Sequence, residues 1–248
     1  MLTILVIEAA TFWLVEFFRL AMIPLEKNET PRLRDSIRAG LFQSAMALLT
    51  VAGAIIATLL LTKLLSFLGG ILIGLIILFF IAYAVPPLRL SEVGYGELIL
   101  AIELGTFFPA FAFILQYKEF NRLLTFATFP ITLLALVYFL VNDFPTFASD
   151  IKNSRNTLLT RLTWQRAIPI HHLLVLSVFL FFALAPLMGF PWGLIWPVFL
   201  ALPFAVIQII WLQRIAMGGR TMWKFLTVLS IATFGLPAYL LAFSFWIR

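Results

Sequence analysis

Long runs with almost no charge recur along this chain, and their length decides what it can be. A helix of about 20 apolar residues rises about 30 Å, the thickness of a bilayer's hydrocarbon core. Such runs cover Leu2–Leu25, Leu41–Thr62, Leu68–Val85, Glu97–Gln116, Leu123–Val141, Ile170–Met188, Trp192–Leu212 and Phe225–Ile247. Each is continuously apolar, whereas the strands of a membrane barrel alternate in and out over about ten residues. The chain is 63% hydrophobic and 11% charged, against about 25% charged in a soluble domain. A core of this size cannot hide that excess, so lipid is the solvent for much of it. The reading is all-α: a polytopic membrane helical bundle of about eight transmembrane helices, forming a single domain over residues 1–248. The first run carries Glu8, Glu16 and Arg19 and lacks a basic leader, so it reads as a retained helix. If those charges hold it flat in the interface, seven spans remain. Gly69-Gly70 reads as a tight turn between the second and third spans.

Charge placement gives an orientation. With the first residue outside, the inner loops hold Lys27, Arg32, Arg34, Arg38, Arg89, Lys152, Arg155, Arg161, Arg166, Arg214, Arg220 and Lys224. The outer ends hold Lys63, Lys118, Arg122 and Arg248, so the count is twelve against four. Basic residues concentrate on the cytoplasmic side of membrane proteins. This places the long loops Glu26–Gly40, Pro86–Gly96, Asn142–Pro169 and Gln213–Lys224 in the cytoplasm of a multi-pass protein, expected in a bacterial cytoplasmic membrane. The net charge of +6 is thereby explained without nucleic acid. Cysteine is absent, which excludes disulfides and thiolate metal sites. Trp192, Trp196, Trp211, Trp223 and Trp246 fall near span ends, as an interfacial aromatic belt requires.

Polar residues within the spans are few. Glu103 sits mid-span, where an ionisable group is a functional candidate by default. His171 and His172 open the sixth span and read as an interfacial pair. Gln208 and Asn142 read as interhelical hydrogen-bonding residues.

The loop after the fifth span carries the most chemistry. It runs Asn142-Asp143-Phe144-Pro145-Thr146-Phe147-Ala148-Ser149-Asp150, then Lys152, Arg155, Thr157-Leu158 and Arg161-Leu162. Asp143 and Asp150 are candidate oxygen ligands for Mg²⁺. Lys152 and Arg155 suit a phosphate. This loop resembles the second aspartate-rich motif of the UbiA superfamily of intramembrane prenyltransferases. The menaquinone-type subgroup, 1,4-dihydroxy-2-naphthoate polyprenyltransferases, is the most similar, with Asn142, Phe144, Pro145, Asp150, Thr157, Leu158, Arg161 and Leu162 in register. A second block, Tyr83-Ala84-Val85-Pro86-Pro87-Leu88-Arg89-Leu90-Ser91 with Gly94, Gly96 and Glu97, is similar to the loop two spans earlier in that family. The similarity covers roughly residues 15–248.

The resemblance implies a helical bundle around a cavity open to lipid, and the joining of a polyprenyl diphosphate to an aromatic acceptor. It also implies Mg²⁺ held on the diphosphate by two acidic loops. This chain departs from that pattern. It starts where the family's second helix is expected, so the fold reads as UbiA-like lacking the first helix. Alignment puts Val15, Glu16, Arg19 and Ile23 at the four positions of the first acidic motif. Thr146 replaces the leading Asp of the second motif, and Ser154-Arg155 replaces a Gly-Lys pair. A fixed cation at Arg19 repels a metal and can instead pair with Glu16, one turn away.

The expectation is therefore a degenerate member that keeps an isoprenoid- or quinone-binding site without transfer chemistry. It would act as an accessory subunit, with protein partners, of a photosynthetic or respiratory quinone-using complex. The alternative is an active aromatic prenyltransferase using Mg²⁺; an unrelated transporter is disfavoured by the absence of an internal repeat. The candidate lipid- or diphosphate-binding residues are Glu16, Arg19, Arg89, Asn142, Asp143, Asp150 and Arg155, with Asp143 and Asp150 as the metal candidates.

Overall fold

The computed structural model of the chain describes residues 2–21, 30–119 and 121–246. Ile23, the end of the first expected span at Leu25, Glu26, Lys27 and Arg248 lie outside them, as does the side chain of Trp246. The described elements are α-helices joined by short 3-10 and π turns. In order they are α1 (Leu2–Leu20), α2 (Pro31–Leu61), α3 (Phe67–Ala84), α4 (Gly96–Ile102), a π turn (Glu103–Phe107) and α5 (Phe108–Tyr117). These are followed by α6 (Arg122–Asp143), a 3-10 turn (Phe144–Thr146), α7 (Phe147–Lys152) and α8 (Leu158–Ala183). A 3-10 turn (Ala185–Met188), α9 (Trp192–Ile195), a 3-10 turn (Trp196–Ala201), α10 (Leu202–Ala216) and α11 (Trp223–Trp246) complete the chain. Among the described residues, 7 helical stretches are long and apolar enough to cross a membrane, from Pro31–Leu61 to Trp223–Phe245. α1, with its three charges, is not one of them.

The helices fall into two compact units. The first comprises Met1–Ser91 and Ala110–Phe120. Here α1 packs on α2 and α3. α2 begins at an N-cap, Thr30, whose hydroxyl accepts from Leu33 N at 3.3 Å, followed by Pro31. Proline suits the first turn because no intrahelical bond is lost there. α2 therefore starts ten residues before the apolar run does. Its buried residues are Arg34, Ala45 and Ala52, and the two alanines are small enough for a neighbouring helix to approach closely. The turn between α2 and α3 lies at residues 62–66 rather than at Gly69-Gly70. Lys63 takes a positive φ of 55°, and Ser66 caps α3 by accepting from Gly69 N at 3.2 Å. Both glycines are already helical.

The second unit comprises Glu92–Pro109 and Asn121–Arg248. α6 is its axis, packing on α4, the π turn, α8 and α11. Phe126, Phe182, Phe190, Val178, Ile195 and Val198 form one buried cluster, with the Phe126 and Phe190 rings stacked at 4.0 Å. Leu140, Phe144, Leu159, Leu212 and Leu226 form a second. At the π turn, Thr106 and Thr132 share a hydroxyl hydrogen bond of 2.6 Å. Gly105 lies so close to α6 that an added Cβ would sit 2.6 Å from Thr132 N. The sixth expected span, Ile170–Met188, is displaced: α8 begins at Leu158 and ends at Ala183. A reciprocal capping box between Thr157 and Thr160 starts it early, and Pro186 sits in the 3-10 turn that follows it. The helix is interrupted at Thr163, where φ is 63°.

Candidate functional site

The residues from Asn142 to Thr157, expected as an open loop, fold into a short helix clamped at both ends. Pro145 stops α6 by lacking an amide donor, and the chain turns through Phe144–Thr146 into α7. Phe144 is 1% exposed and meets the Trp164 indole edge-on at 4.7 Å. Phe147 meets the same indole at 5.7 Å. These aromatic contacts fix the segment under α8. At its far end Ser154 takes a positive φ of 53°, Arg155 N bonds Asp150 O at 2.8 Å, and Thr157 caps α8.

Asp150 is 4% exposed and its carboxylate is engaged on both sides. Oδ2 accepts from Thr146 Oγ1 at 2.8 Å, and Oδ1 faces the Arg155 guanidinium at 3.7 Å. Thr146, which stands where the resembled motif has an acid, is thus a donor to the remaining acid. Asp143 lies against Glu97, in the first turn of α4. Glu97 Oε2 and Asp143 Oδ2 are buried, and no N–H or hydroxyl reaches either. Asn142 donates Nδ2 to Tyr138 O of its own helix at 2.9 Å, an intrahelical bond in place of the expected interhelical one.

Within this unit the end of one motif block meets the other. Val93 and Asn156 form an isolated parallel bridge. The Arg161 guanidinium lies 4.3 Å from the centre of the Tyr95 ring. Gly94, at φ +81°, faces the same side chain so closely that an added Cβ would sit 2.6 Å from Arg161 Cδ. Glu97 was visible in the sequence only as the last letter of a motif. Its partner lies 46 positions further along, a separation no helical spacing encodes.

The remaining candidates belong to the first unit. Glu16 and Arg19 form the expected ion pair at 2.9 Å, partly exposed. Arg89 is 7% exposed, with its guanidinium 5.7 Å from the Phe18 ring.

Mg²⁺, the ion that the resemblance implies, requires several oxygens converging at about 2.0–2.1 Å. Among the described residues no group of three or more His, Cys, Asp or Glu side chains is placed to hold a metal ion. The second-motif carboxylates as arranged do not fit it: Asp150 is bonded to Thr146 and beside Arg155, and no third acidic side chain joins Asp143 and Glu97.

Further polar residues lie inside the second unit. Glu103 opens the π turn at 1% exposure. His171, expected at the interface, is fully buried and its Nε2 contacts Gln208 Nε2 at 3.0 Å, so Gln208 does bond between helices. His172 Nε2 reaches Ile209 O at 3.1 Å. The early start of α8 explains the burial of His171: the pair sits thirteen residues into the helix rather than at its beginning.

Compared with known proteins, the chain matches the model of the UbiA prenyltransferase family over residues 27–231. That span takes in both motif blocks and α2 to α10, and begins after α1. No curated protein and no solved structure matches.

Proposed function

The chain is an integral multi-pass membrane protein of the UbiA prenyltransferase family, and we propose that it binds an isoprenoid or quinone lipid without transferring it. The observation that carries this reading is the state of the second acidic loop. Prenyl transfer from a diphosphate develops about three negative charges on the leaving group, and preorganised positive charge is commonly the largest catalytic term. Here Asp150 is paired with Arg155 and hydrogen-bonded by Thr146, while Asp143 lies against Glu97 and no third acidic side chain joins them to hold a metal. Arg19, aligned with a metal-ligand position of the first motif, is paired with Glu16. A chain with such a loop serves as an accessory subunit of a quinone-using membrane complex, with its larger loops in the cytoplasm.

The test incubates purified full-length protein with radiolabelled polyprenyl diphosphates and naphthoate, benzoate or tetrapyrrole acceptors, with Mg²⁺ or EDTA. No appreciable transfer is expected. An organic extract of the same preparation is expected to contain an isoprenoid quinone, and native electrophoresis to show co-migration with a quinone-using complex. The second reading, an active aromatic prenyltransferase, draws on the family membership and on the retained Asp150. EDTA-sensitive turnover that vanishes in Asp150→Ala would establish it and overturn the first.

A further inference from the structure

α10 and α11 are joined by a turn that builds a basic pocket. α10 ends in a Schellman motif: Gly218 takes φ +85°, its N–H bonds Ile215 O at 3.0 Å, and Gly219 N bonds Arg214 O at 2.9 Å. The two bonds satisfy carbonyls that would otherwise repel an anion at a helix C-terminus. The turn folds Arg220 back towards Arg214, and the two guanidinium-bearing residues line a pocket of about 360 Å³ with Trp211, Met217, Gly219 and Met222.

Three observations give the pocket a preference. No acidic residue follows Asp150 in the sequence, so Arg214 and Arg220 have no carboxylate near them in the chain, and neither makes an ion pair among the described residues. The pocket includes Met222, the residue before the first turn of α11, where a 24-residue helix presents its positive end. Arg214 also stands on one stripe of α10 with Ile210, Ile207 and Val206, four, seven and eight residues earlier. These three are 48%, 42% and 42% exposed. An apolar stripe ending in an arginine beside an indole is complementary to a molecule with an acyl chain and an anionic head, because cations between membrane helices bind headgroup phosphates. The Arg214 guanidinium lies 5.9 Å from the centre of the Trp211 ring.

We propose that this pocket is a binding site for an anionic phospholipid, with the headgroup phosphate between Arg214 and Arg220 and one acyl chain along the Val206–Ile210 stripe. It is separate from the acidic loop and does not depend on what that loop does.

The test is native mass spectrometry of the full chain in mild detergent, titrated with phosphatidylglycerol or phosphatidylcholine. Phosphatidylglycerol is expected to be retained preferentially, and Arg214→Gln with Arg220→Gln to abolish that preference. The expected loss is about fivefold per arginine, the equivalent of about 1 kcal/mol for each cation at a membrane surface. Lys118→Gln with Arg166→Gln removes two other exposed cations and is expected to leave the preference intact. Inorganic phosphate at millimolar concentration is expected not to displace the lipid. Equal retention of the two lipids, an unchanged preference in the Arg214 and Arg220 double variant, an equal loss in the Lys118 and Arg166 control, or displacement by inorganic phosphate would each overturn the proposal.

Discussion

Replacing Gly105 by alanine is expected to separate two effects that usually travel together. Gly105 sits in the π turn after α4, and its added Cβ would lie 2.6 Å from Thr132 N on α6. Ordinary contact distances are about 3.5–4.0 Å, so the turn and α6 must part by about 1 Å. The neighbour is backbone, which no rotamer change can move aside. Overpacking of this kind costs about 1–3 kcal/mol. The separation also stretches the Thr106–Thr132 hydroxyl bond of 2.6 Å, and a polar bond between membrane helices contributes about 0.6 kcal/mol. Against this, alanine is a better helix former than glycine by about 0.5–1 kcal/mol. Gly74→Ala in α3 supplies the reference, because nothing lies within 4 Å of its added Cβ. The two substitutions share the propensity gain, so their difference isolates the clash, at about 2–4 kcal/mol. Reversible unfolding in mixed micelles, by denaturing detergent titration, reads it. Adding Thr132→Ala to Gly105→Ala is expected not to rescue stability. Equal stability of Gly105→Ala and Gly74→Ala would refute the close approach, and rescue by Thr132→Ala would show that the clash is with the hydroxyl rather than the backbone.

Thr157→Ala removes the N-cap of α8 and half of its capping box, and is expected to cost about 1 kcal/mol in the same unfolding assay, with Thr157→Ser close to wild type. Asp150→Ala strips Thr146 and Arg155 of their shared acceptor and is expected to destabilise by about 1–3 kcal/mol, whereas Asp150→Asn, which keeps an acceptor for Thr146, loses less. Asn153→Cys places the chain's single thiol on an exposed turn. An impermeant maleimide is expected to label it in inverted vesicles and not in intact cells; the reverse pattern would invert the orientation drawn from the basic residues.

The bundle was legible in the sequence because apolar length reports directly on the bilayer. Seven runs reappear as spans, and the charges of Glu8, Glu16 and Arg19 account for the eighth standing apart. The ends were less legible, because helices continue past the apolar run wherever a cap permits. Thr30-Pro31 extends α2 backwards, Thr157 with Thr160 does the same for α8, and Ser66 rather than the glycine pair sets the turn before α3. Within the candidate site, the pairing of Glu16 with Arg19 was readable because one helical turn encodes it. The Asp143–Glu97 contact was not, since it depends on how α4 packs against α6. The role of Thr146 as a donor to Asp150 was equally hidden, because a missing acid reads as a loss until the hydroxyl is seen bonded to the acid that remains.

The internally bonded acidic loop has a thermodynamic consequence. A ligand that binds only the native state adds RT ln(1 + [L]/Kd) to stability, so a protein with a metal-held loop melts later as the ion is raised. The segment from Phe144 to Thr157 is ordered by its own groups: Phe144 packed on Trp164, Thr146 and Arg155 on Asp150, Thr157 on α8. On the proposed reading, its order carries no linkage to divalent ions. The melting temperature of the purified chain should be flat from micromolar to millimolar Mg²⁺, which leaves the loop in one shape whatever the ionic composition beside the membrane.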